Sequence, residues 1–320
     1  MKPGAALCLL LLVVACGSEE AAAPPSGEER IAFASSREGD FEIYTMRPDG
    51  TGVRQLTRNE ETDGNEMRDG GPVWSPDGRW IAFTSTRDHG RGGVDVEEVY
   101  VMRADGSGQK RLTDNNGADL LTGWTDDGEV VFWGCREGIA GCELRRIGRS
   151  GNDEEAVYET EDVVIASSGP HDGEVHTRIL SRETTTLRGG KLIAIDIESG
   201  ESRELDEEGS PSLDGKHVLV VTDRDRNGPC LFHDCEGHAP ELYVDDRRLT
   251  RTTDYEIDAT WSPDGRRIVF ARIANDGGDD YELWVMNSDG SCPTRLTDNG
   301  AWDWNPDWNG APESDAPLDC

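Results

Sequence analysis

Asp223, Asp225 and Asn227 stand at alternate positions ahead of Gly228, and Asp234 follows at position twelve. Alternating oxygen donors, a glycine turn and a distal carboxylate can wrap a Ca²⁺ ion. Such loops usually end in Glu between two helices; here the residue is Asp and no helical pattern flanks it. The same stretch spaces Cys230, His233, Cys235 and His238 as zinc-capable ligands. In an oxidising compartment a Cys230–Cys235 disulfide competes with zinc. Calcium, zinc and disulfide are alternative readings of one loop. Arg224-Asp225 also belongs to a repeated Arg-acid pair, which needs no metal.

Elsewhere the chain offers little catalytic chemistry. It has no Gly-x-Ser-x-Gly elbow, His-Glu-x-x-His pair, P-loop or dinucleotide fingerprint. Its six histidines are His89, His171, His176, His217, His233 and His238. The formal net charge is −33, so nucleic acid and anionic lipid faces repel this chain, while basic partners and divalent cations are attracted. A surface made acidic for solubility gives the same number.

The first residues predict a compartment. Lys2 precedes an apolar run from Ala5 to Val14, too short to span a bilayer but suited to a signal segment. Val13-Val14-Ala15-Cys16 matches a bacterial lipobox, which predicts cleavage before Cys16 and acylation of its thiol. Residues 16–30 then read as a flexible tether. The protein is therefore expected in the bacterial cell envelope, lipid-anchored on the extracytoplasmic side. Six further cysteines fall as Cys135/Cys142, Cys230/Cys235 and Cys292/Cys320. An even count in an exported chain predicts disulfides; fifteen pairings are open, and short separations favour the local ones.

The elements that would position any site come from an internal repeat. Ser75-Pro76-Asp77-Gly78 recurs as Thr125-Asp126-Asp127-Gly128, Gly169-Pro170-His171-Asp172-Gly173, Ser212-Leu213-Asp214-Gly215 and Ser262-Pro263-Asp264-Gly265. Trp74, Trp124, Trp261 and Trp308 recur with it, the first three at one offset, and read as packing residues. Apolar strand-like runs follow, such as Trp80–Phe83 and Val99–Met102. Then come Asp-Gly turns at Asp49, Asp105 and Asp289, and short segments ending in Leu-Thr. Four short strands per unit of forty to fifty residues predict propeller blades. The first unit lacks its Trp strand, and Trp302–Trp308 supplies one, so the C-terminus is expected to complete the N-terminal blade and remove open edges.

The pattern Trp-Ser-Pro-Asp-Gly-Arg-x-Ile-Ala-Phe, then Val-Tyr-x-Met-x-x-Asp-Gly-x-Gly and Arg-x-Leu-Thr, resembles the repeat of TolB-like, WD-repeat-like propellers over about residues 31–310. The resemblance implies an all-β, six-bladed propeller of four-stranded antiparallel blades, followed by a tail at 311–320. It is weakest in the third to fifth blades. The additional N-terminal α/β domain of the name-giving protein is not expected, since the repeat starts some fifteen residues after Cys16.

Alternate turns of such blades lie on opposite faces. The long connections share one face, rich in Glu60, Glu61, Asp63, Asp95, Glu97, Glu98, Asp279 and Asp280. Variable loops on a rigid scaffold carry binding residues. This face is expected to dock an envelope protein, peptide or glycan, with no catalysis, no required cofactor, and a monomeric propeller. The alternative is a metal-dependent polysaccharide lyase or hydrolase, which some similar propellers are. Arg37, Arg87, Arg136, Arg182, Arg224 and Arg272 recur at the end of the second strand of each unit; six-fold repetition favours ion pairs over an anion-binding ring.

Overall fold

Asp-Gly turns and short alternating runs force the chain back on itself every few residues, and the described residues of the computed structural model form strands joined mainly by such hairpins. It describes residues 29–59, 68–88, 97–115, 117–135, 142–159, 183–188, 191–196, 199–200, 202–204, 210–211, 216–222, 240–273, 280–309 and 318. The described strands are β1 (Ile31–Ser35), β2 (Glu42–Met46), β3 (Arg54–Gln55), β4 (Asp69–Trp74), β5 (Trp80–Ser85), β6 (Glu98–Arg103), β7 (Lys110–Arg111) and β8 (Asp119–Trp124). They continue as β9 (Val130–Cys135), β10 (Cys142–Ile147), β11 (Glu155–Glu159), β12 (Glu183–Arg188), β13 (Lys191–Asp196), β14 (Ser202–Glu204), β15 (Ser210–Pro211) and β16 (Val218–Thr222). The last are β17 (Glu241–Val244), β18 (Arg247–Arg248), β19 (Tyr255–Trp261), β20 (Arg267–Ile273), β21 (Glu282–Asn287), β22 (Thr294–Arg295) and β23 (Asp303–Trp308).

They form antiparallel sheets in the orders β23-β1-β2-β3, β4-β5-β6-β7, β8-β9-β10-β11, β12-β13-β14, β15-β16-β17-β18 and β19-β20-β21-β22. Five sheets are therefore four-stranded propeller blades. The expectation of six such blades is not met at the fourth sheet, which has three strands among the described residues. The predicted closure is present: β23 pairs with β1, with Ile31 opposite Trp308 and Ser35 opposite Asp303.

The turn chemistry explains the repeated residue types. Ser75 Oγ donates to Asp77 Oδ1 at 2.6 Å and accepts from the Trp80 N–H at 3.0 Å, while the Arg79 N–H donates to Asp77. Ser262 and Asp264 repeat these bonds, and Thr125 replaces Ser in the third sheet. The second turn type places Gly106 at φ +83°, where an added Cβ would lie 2.9 Å from the Leu56 carbonyl oxygen of the preceding sheet. Gly50 meets Leu296 and Gly290 meets Leu249 in the same way. The Asp-Gly and Leu-Thr motifs are thus two halves of one contact between blades. Cationic residues reinforce it: Arg54 donates to the Asp105 carbonyl at 2.9 Å, and Lys110 to that of Ser150.

The core lies between sheets. Trp74 packs with Ala32, Ile43 and Phe83, so its cluster joins the first two sheets. Trp124 joins the second and third, Trp261 the fifth and sixth, and Trp308 the sixth and first. All four indoles are buried. Cys135 and Cys142 stand opposite each other in β9 and β10 and are disulfide-bonded, as the local pairing predicted. Cys292 is also disulfide-bonded, and Leu318 is held by two hydrogen bonds to the Asn287 side chain. Cys230, Cys235 and Cys320 lie outside the described residues, as do Cys16 and the tether up to residue 28.

Candidate partner-binding face

The face that carries the long connections rests on a layer of buried carboxylates. Glu42, Glu98, Glu241 and Glu282 each open the third strand of a blade and are almost wholly buried. Burying a carboxylate is costly unless donors surround it. Glu98 accepts from Arg111 at 2.9 Å, from Thr113 Oγ1 at 2.5 Å and from the Asn115 N–H at 3.1 Å. Thr113 Oγ1 in turn accepts the Val99 N–H at 2.9 Å. Thr57 and Asn59 serve Glu42 likewise, and Asn299 and Arg295 serve Glu282. The Thr of each Leu-Thr motif is therefore a lock between the third strand and the outgoing loop.

Glu98 was expected among the exposed loop acids. The structure corrects this: it is a buried strand residue whose carboxylate holds its own blade together. Glu97, beside it, is partly buried, and burial pushes its carboxyl up to about 7 against the opposing charge of Arg68. Asp280 is partly buried next to Tyr281. Glu60, Glu61, Asp63, Asp95 and Asp279 lie outside the described residues.

The recurrent arginines are structural where they are described. Arg37 donates to both oxygens of buried Asp303 at 3.1 Å, Arg87 pairs with buried Asp69, and Arg272 pairs with buried Glu256 at 2.6 Å. Each guanidinium also lies over two rings: Arg37 over Phe33 and Tyr44, Arg87 over Phe83 and Tyr100, and Arg272 over Phe270 and Trp284. Arg136, Arg182 and Arg224 are outside the described residues.

Glu42 carries a consequence for pH. Burial raises its carboxyl from 4.5 to about 7, opposed by the Thr57 and Asn59 bonds and assisted by Asp69 and Asp40. The folded chain then binds this proton more tightly than the unfolded chain. Its contribution is fully favourable below pH 4.5 and is lost as pH rises to about 7. The slope is at most about 1.4 kcal/mol per pH unit. Urea unfolding at pH 5, 6 and 7 should show that Glu42→Gln flattens the pH dependence in this window.

A feature the sequence reading missed lies on the same face. Phe41 and Trp304 have ring centroids 5.3 Å apart, Trp304 and Trp302 6.5 Å, and Trp302 and Tyr281 5.7 Å. These four rings come from the first and sixth sheets and form one row across the closure. The signal was present as Trp302-Asp303-Trp304, but only the pairing of β23 with β1 brings Phe41 to it.

The opposite face is closed by the short turns. A cavity of about 1090 Å³ there is lined by His217, Asp245, Arg247, Asp264 and Asp289 among others. Two of its side chains bond to the protein itself: His217 Nδ1 lies 2.9 Å from Asp245, and Arg247 reaches the Ser288 carbonyl. Among the described residues no group of three or more His, Cys, Asp or Glu is arranged to hold a metal ion. Asp223, Asp225, Asn227, Asp234, His233 and His238 fall outside them.

No established protein-family profile matches the chain. Local similarity does exist. The Tol-Pal system protein TolB of Geobacter sulfurreducens is 38% identical over 89 residues, 28% of this chain and 18% of that protein. TolB of Desulfosudis oleivorans is 32% identical over 97 residues, 30% of this chain and 19% of that protein. An uncharacterized peptidase, YuxL of Bacillus subtilis, is 30% identical over 160 residues, 48% of this chain and 22% of the other. The matched segments thus span about a fifth of these relatives. Among solved structures, TolB from Acinetobacter baumannii superposes with a TM-score of 0.62 at 19% identity, covering 91% of this chain and 68% of that one. A TolB-like protein structure from Agrobacterium tumefaciens gives 0.52 at 15% identity, covering 87% and 97%. These likenesses establish a β-propeller fold of the TolB kind.

Proposed function

We propose that this chain is a non-catalytic scaffold of the bacterial cell envelope, tethered by lipid on Cys16, which docks a protein through its long-loop face. The three-stranded sheet is read as the fourth of six blades. The observation that carries the docking reading is the division of labour between acids. The buried carboxylates and their arginines hold the blades, while the long connections carry a second set of acids in sequence. A rigid layer beneath acidic, variable loops suits recognition of a basic protein surface. The local similarity to Tol-Pal system proteins supports an envelope setting, and an extracytoplasmic location agrees with the disulfides.

The test is a crosslinked pull-down from the native envelope followed by mass spectrometry. A variant with Glu60, Glu61, Asp63, Asp95, Glu97, Asp279 and Asp280 changed to their amides should lose the main partner. A control with Asp126→Asn and Asp246→Asn, on the short-turn face, should keep it. Equal recovery from all three would overturn the reading.

A further inference from the structure

We propose that the aromatic row across the closure, with Asp258 beside it, receives a lysine or arginine side chain of the docked protein. This rests on the docking reading above and specifies its anchor.

The first observation is that the row exceeds what the blade needs. Aligned on their opening acid, the inner strands β4, β8, β19 and β23 carry Gly70, Leu120, Ile257 and Trp304 at the next position. A blade therefore closes with no side chain there at all, yet β23 places an indole. Phe41, Trp302 and Trp304 are all partly exposed.

The second observation is backbone strain at the adjoining position. The register of β4, β19 and β23 is irregular there, and that of β8 one residue later. In β4 the residue is Gly71, at φ +53°, which glycine adopts freely. In β19 and β23 it is Asp258 at φ +53° and Asn305 at φ +46°. Side chains in this region cost free energy and concentrate at functional sites. The two meet: Asp258 Oδ2 accepts from the Asn305 N–H at 3.1 Å and from its Nδ2 at 2.9 Å. Asn305 directly follows Trp304 in β23, which places the Asp258 carboxylate beside the row.

Indole and phenyl faces beside a carboxylate are the chemistry that receives an ammonium or guanidinium group. Asp40 precedes Phe41, Asp280 precedes Tyr281, and the whole chain stands at −33, so a cation is the complementary occupant.

The probe is hexa-arginine amide, with hexa-glutamate amide and chitotetraose as comparisons, titrated into the full chain carrying ¹⁵N-labelled tryptophan. The indole resonances of Trp302 and Trp304, assigned with Trp302→Phe and Trp304→Phe, should shift saturably with hexa-arginine alone. Trp304→Leu should weaken the binding about tenfold. Phe41→Leu and Asp258→Asn should weaken it severalfold, and they serve if the Trp304 variant does not fold. Unchanged affinity in the folded variants would overturn the anchor, as would chitotetraose moving these resonances in place of hexa-arginine. If neutralising the loop acids abolishes binding while these variants retain it, the docking face stands and the aromatic anchor fails.

Discussion

Gly106→Ala should destabilise the protein by about 3 kcal/mol, and Gly106→Val by more. Two costs combine. A side chain at φ +83° costs about 1–2 kcal/mol, and a Cβ placed 2.9 Å from the Leu56 carbonyl oxygen must push two blades apart, which costs about 1–3 kcal/mol. Gly265 separates the two. Its φ is +68° but nothing lies within 4 Å of its Cβ position, so Gly265→Ala should lose only the first cost. Thermal unfolding of both variants measures the difference; a drop of roughly 6–12 °C is expected for Gly106→Ala. Equal losses at the two sites would mean that the turn glycine does not seat one blade on the next.

Arg272→Ala should cost about 3–5 kcal/mol, because it leaves the Glu256 carboxylate buried without its cation. The arginine side chain is 9% exposed and the glutamate fully buried, so solvent cannot compensate. Burial already raises the Glu256 carboxyl above its ordinary value despite Arg272. Without the guanidinium it should rise further, so the variant should recover part of its stability as pH falls and the carboxyl takes up its proton. Arg146, which pairs with exposed Glu155, provides the contrast. Arg146→Ala should cost under about 1 kcal/mol. Urea unfolding across pH 4–8 reads both effects, and a loss at Arg272 no larger than at Arg146 would refute the structural assignment of the recurrent arginines.

Much of the fold was legible because the propeller writes its turns in residue types that have few substitutes. Ser-x-Asp-Gly is readable since Ser, Asp and Gly each make a bond or adopt a backbone shape that others cannot. The closure was legible from Trp302–Trp308, an inner strand without a following blade. Glu98 was misplaced for a physical reason. A carboxylate before an apolar run looks like a loop charge until its donors, Arg111, Thr113 and Asn115, are known, and two of these lie fifteen or more residues away. The recurrence of Glu42, Glu98, Glu241 and Glu282 at one offset was the available signal. The aromatic row escaped notice because Phe41, Tyr281 and Trp304 are far apart in sequence and converge only through the pairing of the two chain ends. The fourth sheet departs from the repeat in sequence as well as in its number of strands among the described residues.

The central claim, docking through the long-loop face, is tested most directly by photo-crosslinking in the living envelope. A benzoylphenylalanine placed at position 38 or 280 on the long-loop face, or at 126 or 246 on the short-turn face, reports which surface a partner touches. The account predicts a discrete protein adduct from positions 38 and 280 and none from 126 and 246. An adduct confined to the short-turn positions would contradict it.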